Sequence, residues 1–269
     1  MFRLLLAILA PFRAILRHHS ILVRTTWVDL KATYAGSVLG IIWVIVGPLL
    51  MLSVYALTYA VIFKVRIPAL STTEYVLYVF CGIVPFLAFA QSLSSGTLSL
   101  SSNRAVMLNT VFPAEMIPLR SVLVGSASML SGTMILLVSD FLWSKPSPLF
   151  LLIPVVMLFQ VMFSVGICWM LSLVALLVRD LAQLIYFITM MLLIITPIAY
   201  TPDMIPDGMK VLMLFNPLYY FVTCFQYIII LDQVPPADTL LTGILISIVF
   251  FTLGFSVFHR SKQVFYDFA

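Results

Sequence analysis

Charge is what this chain has least of: Asp, Glu, Lys and Arg make up 9% of its 269 residues, against 63% apolar ones. A soluble domain of this size needs far more charge to cover its surface, so the sequence describes an integral membrane protein. The scarcity is also uneven. The intervals 32–63, 75–103, 121–139, 146–178, 181–202, 211–231 and 239–258 contain no Asp, Glu, Lys or Arg. Each approaches or exceeds the roughly 20 helical residues that cross a bilayer. Segments of about 10 residues with alternating polarity, the mark of a membrane barrel, are missing, which leaves an all-α fold.

Other absences narrow the function. The three cysteines, Cys81, Cys168 and Cys224, lie inside apolar runs without metal-like spacing, so they read as small packing residues and imply no disulfide framework. No G-x-x-x-x-G-K-[ST] phosphate loop, no H-E-x-x-H pair and no G-x-S-x-G elbow occurs. The charge-free runs hold no carboxylate of the kind that couples a carrier to protons or ions, which argues against secondary transport. The acids Asp203, Asp207, Asp232 and Asp238 are scattered rather than grouped as glycosyl transfer at an interface requires. The chain therefore reads as non-catalytic, binding no cofactor or metal, and any uphill transport must draw its energy from a partner on the cytoplasmic side.

What charge there is carries topology. The formal +4 is a positive-inside signal rather than a nucleic-acid footprint. "LLLAILA" at 4–10 imitates a signal peptide, but Pro11 and Arg13 end that run too early. Arg13, Arg17 and Arg24 fall within about 80° of Arg3 on one helix face, which predicts an amphipathic interfacial helix over 1–30. Spans over 36–63, 75–98, 121–140, 149–177, 181–200 and 239–258 then place both termini in the cytoplasm. Arg3, Arg13, Arg17, Arg24, Lys31, Arg104, Arg120, Arg179, Arg260 and Lys262 lie inside, and Lys64, Arg66, Lys145 and Lys210 outside. The run 211–231 has acids on both flanks and is broken by Asn216-Pro217, so it reads as re-entrant from the outer face, within a segment 203–236.

The longest cytoplasmic loop is "SLSSNRAVMLNTVFPAEMIPLR" at 99–120. Ser101 or Ser102 can cap a short helix that Pro113 ends. Val106, Met107, Val111 and Phe112 make that helix costly in water unless it is covered, either by lipid or by a cleft in a soluble ATPase.

Several stretches carry a resemblance: "DLKATYAGSVLGIIWVIVGPLLMLSVYALTY" (29–59), "NRAVMLNTVFPAEMIPL" (103–119), "LLVRDLAQL" (176–184), "ITPIAYTPDMIP" (195–206) and "NPLYYFV" (216–222). Together they resemble the permease subunits of ABC-2 type transporters in the branch that exports bacterial polysaccharides such as O-antigen, capsule and teichoic acid. The resemblance implies one six-span transmembrane domain over 1–269, in the bacterial inner membrane. It implies a homodimer joined to two ATPase subunits that carry the ATP and Mg, and a lipid-linked glycan as cargo. It also implies a coupling segment over 99–118, with Arg104, Asn109, Phe112, Pro113 and Glu115 as ATPase contacts.

Arg179 and Asp180 stand as a second contact or as simple capping of the fifth span. Gly36 and Gly40 form G-x-x-x-G, and Ser121, Gly125, Ser128 and Gly132 recur through the third span; both patterns read as close helix packing. Met51, Tyr55, Tyr59 and Phe63 recur every four residues and, with Tyr186, form either a stacking lane for sugars or an interfacial aromatic belt. Asn216, Pro217, Tyr219 and Tyr220 stand at the outer gate. Arg13, Arg17, Arg24 and Lys31 read as a positive-inside anchor or as the arrival point of a lipid phosphate. Two other functions stay open: export of a drug or small lipid, and a membrane enzyme or scaffold in envelope glycan synthesis.

Overall fold

Helices are the one open structure that satisfies every backbone amide of an apolar run within its own segment. A computed structural model describes residues 2–62, 70–104, 112–143, 148–178, 180–201, 204 and 207–268, and among them every regular element is helical. An amino-terminal arm of α1 (Phe2–Arg17) and α2 (His19–Thr33) leads through a turn to Gly40–Ile42 and α3 (Trp43–Ala56), which continues as a π-helical turn, Leu57–Ile62. α4 (Thr72–Thr97) is followed by one helical turn, Ser99–Ser102. α5 (Met116–Gly125) and α6 (Ala127–Trp143) run consecutively, and Pro148–Leu152 opens α7 (Ile153–Leu177). Last come α8 (Leu181–Ile195), α9 (Asp207–Leu214), α10 (Pro217–Ile229) and α11 (Ala237–Phe268).

Among the described residues, four stretches are long and apolar enough to cross a bilayer: Thr72–Thr97, Met116–Leu142, Pro148–Leu177 and Ala237–Ser261. Gly40–Ala56 and Leu181–Ile195 are apolar but shorter. The 15 residues of α8 reach only about 22 Å, short of a hydrocarbon core of roughly 30 Å. The fifth expected span therefore ends five residues early, at Ile195, because Thr196 turns extended ahead of Pro197. The first begins at Gly40 rather than 36, and its expected end at Phe63 lies outside the described residues.

α4 is the centre of the molecule. Ser71 opens it with a capping box, accepting from the Glu74 amide at 3.3 Å while the Glu74 carboxylate accepts from the Ser71 amide at 2.7 Å. Tyr75, Phe80, Ile83, Phe86, Phe89 and Leu93 on its various sides are all buried. Pro85 interrupts its amide ladder, and the Gln160 side chain of α7 donates to the Pro85 carbonyl at 2.6 Å. α7 packs on α11 through Trp169, whose ring lies 5.2 Å from Phe251 and 5.3 Å from Phe255.

Glycine sets the closest approaches. A methyl group added at Gly254 would overlap the Gly166 backbone, and one at Gly166 would overlap the Phe250 carbonyl, so α7 and α11 touch main chain to main chain. Gly125 and Gly132 lie against Ser92 and Val84 of α4, as their spacing predicts. Gly36 and Gly40 act as turn formers, with φ of +82° and +53°, and among the described residues nothing lies within 4 Å of a methyl group built at either, so the G-x-x-x-G pair meets no packing partner within this chain. Cys81, Cys168 and Cys224 are free and buried, in keeping with a packing role.

Candidate functional site

The segment between α4 and α5 begins where α4 runs out. The Ser99–Ser102 turn ends at Asn103, whose side-chain amide donates to the Ser99 carbonyl at 2.8 Å. Residues 105–111, Asn109 among them, lie outside the described residues. The chain re-enters at Phe112 and Pro113, both half-buried, and tightens into α5 as the Met116 amide donates to the Pro113 carbonyl at 2.9 Å. Arg104 is exposed, whereas Glu115 is buried, and its backbone carbonyl accepts from the Trp169 indole N–H at 2.8 Å. Of the expected ATPase contacts, Arg104 thus lies at the surface, and Glu115 pins the start of α5 to α7.

One residue that joins this site carried no role in the sequence beyond its charge. Arg120, on α5, is buried, and its Nη2 donates to the Asn103 side-chain oxygen at 2.8 Å. Its Nε lies 2.6 Å from the Asp29 carboxylate of α2, a close charge contact whose N–H does not point down the line of a linear hydrogen bond. Its guanidinium also stands 5.8 Å from the Phe112 ring centroid. No periodicity links Asp29 to Arg120, so only the fold reveals the pair.

The basic residues of the arm face outward. Arg13, Arg17, Arg24 and Lys31 are exposed, and the Lys31 ammonium sits 5.0 Å from the Trp27 ring centroid. On the opposite side Leu22 is buried, and Phe12 meets Phe251 of α11 at 5.2 Å. The arm thus meets the core on the side away from its basic residues, while Leu16, Val23 and Val28 stay exposed beside them. Asp180 is exposed just before α8 and makes no side-chain cap bond, while Arg179 lies outside the described residues.

Met51 borders a cavity of about 370 Å³ between α3, α4 and α6, walled by Tyr34, Trp43, Phe80, Gln91 and Ser128 among others. Tyr55 is half-buried, packed on the core; the Tyr59 side chain and Phe63 lie outside the described residues. Tyr186 is exposed on α8, edge-on to Phe187 at 5.6 Å.

Beyond α8 the break is built from polar side chains. Asn216 is buried, caps α10 by accepting from the Leu218 amide at 3.0 Å, and donates to the Thr196 hydroxyl at 2.7 Å. Pro217 occupies the first turn of α10, where its missing amide costs nothing. Gln226 donates to the carbonyls of Pro197 (3.1 Å) and Ile198 (3.3 Å), and the Tyr75 hydroxyl to that of Ala199 (2.9 Å). Tyr219 and Tyr220 are half-buried, their rings 5.2 Å apart, and the Tyr220 hydroxyl donates to the Leu214 carbonyl at 2.8 Å. Main chain that departs from a helix here is thus satisfied by side chains of neighbouring helices.

The family model described as "ABC-2 type transporter" matches residues 22–230. An O-antigen export system permease protein RfbA of Klebsiella pneumoniae is 30% identical, over 91% of this chain and 93% of its own. The protein of the same name from Myxococcus xanthus is 25% identical, over 94% and 96%.

Proposed function

This chain belongs to the ABC-2 type transporter family, and from that membership we propose that it is the permease subunit of an ATP-driven exporter carrying a lipid-linked polysaccharide of the O-antigen or capsule class across the bacterial inner membrane. One observation carries the reading: the likeness to permeases named for O-antigen export runs over 91% of the chain, through both the α4–α5 segment and the broken outer element. The permease is the non-catalytic half, with ATP and Mg held by a separate ATPase.

In detail, two copies pair and two ATPases dock beneath them. Each copy crosses six times, on α3 with its π-helical turn, α4, α5–α6, α7, α8 with the break after it, and α11, and keeps both termini in the cytoplasm. α1 and α2 lie in the inner interface, their basic face toward lipid phosphates. Residues 99–118 form the coupling segment, and 203–236 re-enter from the outer side as a gate. The aromatic side chains of α3 and α8 offer faces on which sugars stack as they pass. The walls of the α3–α4–α6 cavity, rich in apolar side chains, favour a small lipid cargo as the second reading.

Co-purification with candidate ATPases, together with surface polysaccharide on the cell, tests this. Wild type is expected to hold its ATPase, and an Arg104→Glu, Phe112→Ala double variant to lose it together with surface polymer. Retention of the ATPase by that variant places the contact elsewhere. Unchanged surface polymer in a strain lacking the chain overturns the polysaccharide reading and moves the small-lipid reading forward.

A further inference from the structure

Arg120 is 8% exposed, and burying a guanidinium is costly unless its charge is paired and its donors are used. Its partners come from separate segments. Asp29, at 2.6 Å, belongs to α2; Asn103, at 2.8 Å, ends the helical turn after α4; and Phe112, at 5.8 Å, leads back into α5. The described ends of the coupling segment therefore meet on one side chain. Asn103 is itself fixed for the task, because its amide nitrogen is spent on the Ser99 carbonyl and its oxygen is left to face Arg120. Asp29 stands two residues before Lys31 on the helix whose exposed basic groups include Arg24.

We infer that Arg120 is a positioning residue that locks α2 to the coupling segment, so that an ATP-driven displacement of that segment is delivered to the basic face of the arm. Thermodynamic linkage makes the traffic two-way: an anionic phosphate seated on Arg24 and Lys31 biases the coupling segment and hence the ATPase. The inference rests on the coupling reading of residues 99–118. Only a planar fork serves this arrangement. A guanidinium meets Asp29 and Asn103 through different nitrogens at once, whereas a lysine ammonium is a point charge on a flexible stem.

The test uses the full chain with its ATPase, reconstituted in phosphatidylcholine vesicles with or without phosphatidylglycerol as the anionic probe. The readout is each complex's ATPase rate with the probe divided by its own rate without it. Wild type is expected to respond about fivefold or more, the usual scale of allosteric coupling. Asp29→Asn, Asn103→Ala and Arg120→Lys bring the ratio to near one while keeping the ATPase bound, and Asp29→Glu, which preserves the charge, keeps the response. Arg24→Gln with Lys31→Gln abolishes it from the lipid side. A full response in Arg120→Lys or Asp29→Asn, or an unresponsive wild type, overturns the inference with the coupling reading intact. An ATPase that stays bound to the Arg104→Glu, Phe112→Ala variant instead removes the coupling reading beneath it.

Discussion

A single methyl group separates the two kinds of glycine in this chain. At Gly254 it meets the main chain of Gly166, which cannot rotate away, so Gly254→Ala is expected to cost more than about 3 kcal/mol, above the usual range for overpacking. At Gly36 it meets nothing within 4 Å, and Gly36→Ala pays only for its positive φ, about 1–2 kcal/mol. Thermal unfolding in detergent ranks the two, and equal losses would count against the α7–α11 contact. The sequence pointed to Gly36 and Gly40 because small residues four apart are a known packing signal, but spacing reports a periodicity and not a partner. Gly166 and Gly254 stand in different helices, and the contact between them has no local trace. Arg120 and Asp29 were hidden for the same reason, whereas the exposed Arg13, Arg17 and Arg24 could be placed from one helix face alone.

Elements that end inside the protein depend on borrowed hydrogen bonds. Gln226 supplies them to Pro197 and Ile198, so Gln226→Leu leaves two carbonyls without that donor at about 1–3 kcal/mol each. Export of polymer is expected to fall while the ATPase remains bound, since the change lies far along the chain from Asn103 and Arg120. Surface polysaccharide measured beside co-purified ATPase checks this, and loss of both together would mean that the break also supports the ATPase contact. The break at Asn216-Pro217 was legible because both residues are local signals for a helix start. The end of α8 was not, because Thr196 and Pro197 sit in a run without charge, where hydropathy continues across the break. Glu115 offered a related difficulty: a charged residue in a loop reads as exposed, and only the arrival of Trp169 shows the segment tucked beneath α7.

Across the whole molecule, packing is unequal. α4 is buried on nearly every side, while α3 has no fully buried residue and α8 only Ile185. Amide hydrogen exchange in detergent is therefore expected to be slow in α4 and in the facing sides of α7 and α11, and faster in α3 and α8. Uniform protection would contradict it. Helical class was legible from charge placement; which runs form long helices, four among the described residues, and which form the packed centre was not, because all are equally apolar. The bare contact of Gly166 with Gly254 has a further consequence. Main chain resting on main chain has no side chains to re-pack, so α7 and α11 turn as one piece, and Phe12 fastens α1 to that piece through Phe251. Arg120 fastens α2 to α5 through Asp29, and Glu115 holds the start of α5 to α7 through Trp169, so both helices of the arm are tied to the same body. The arm is thus moored at both of its helices, like a boat on two lines, with backbone hydrogen bonds continuing across His18 from Ala14 to Leu22.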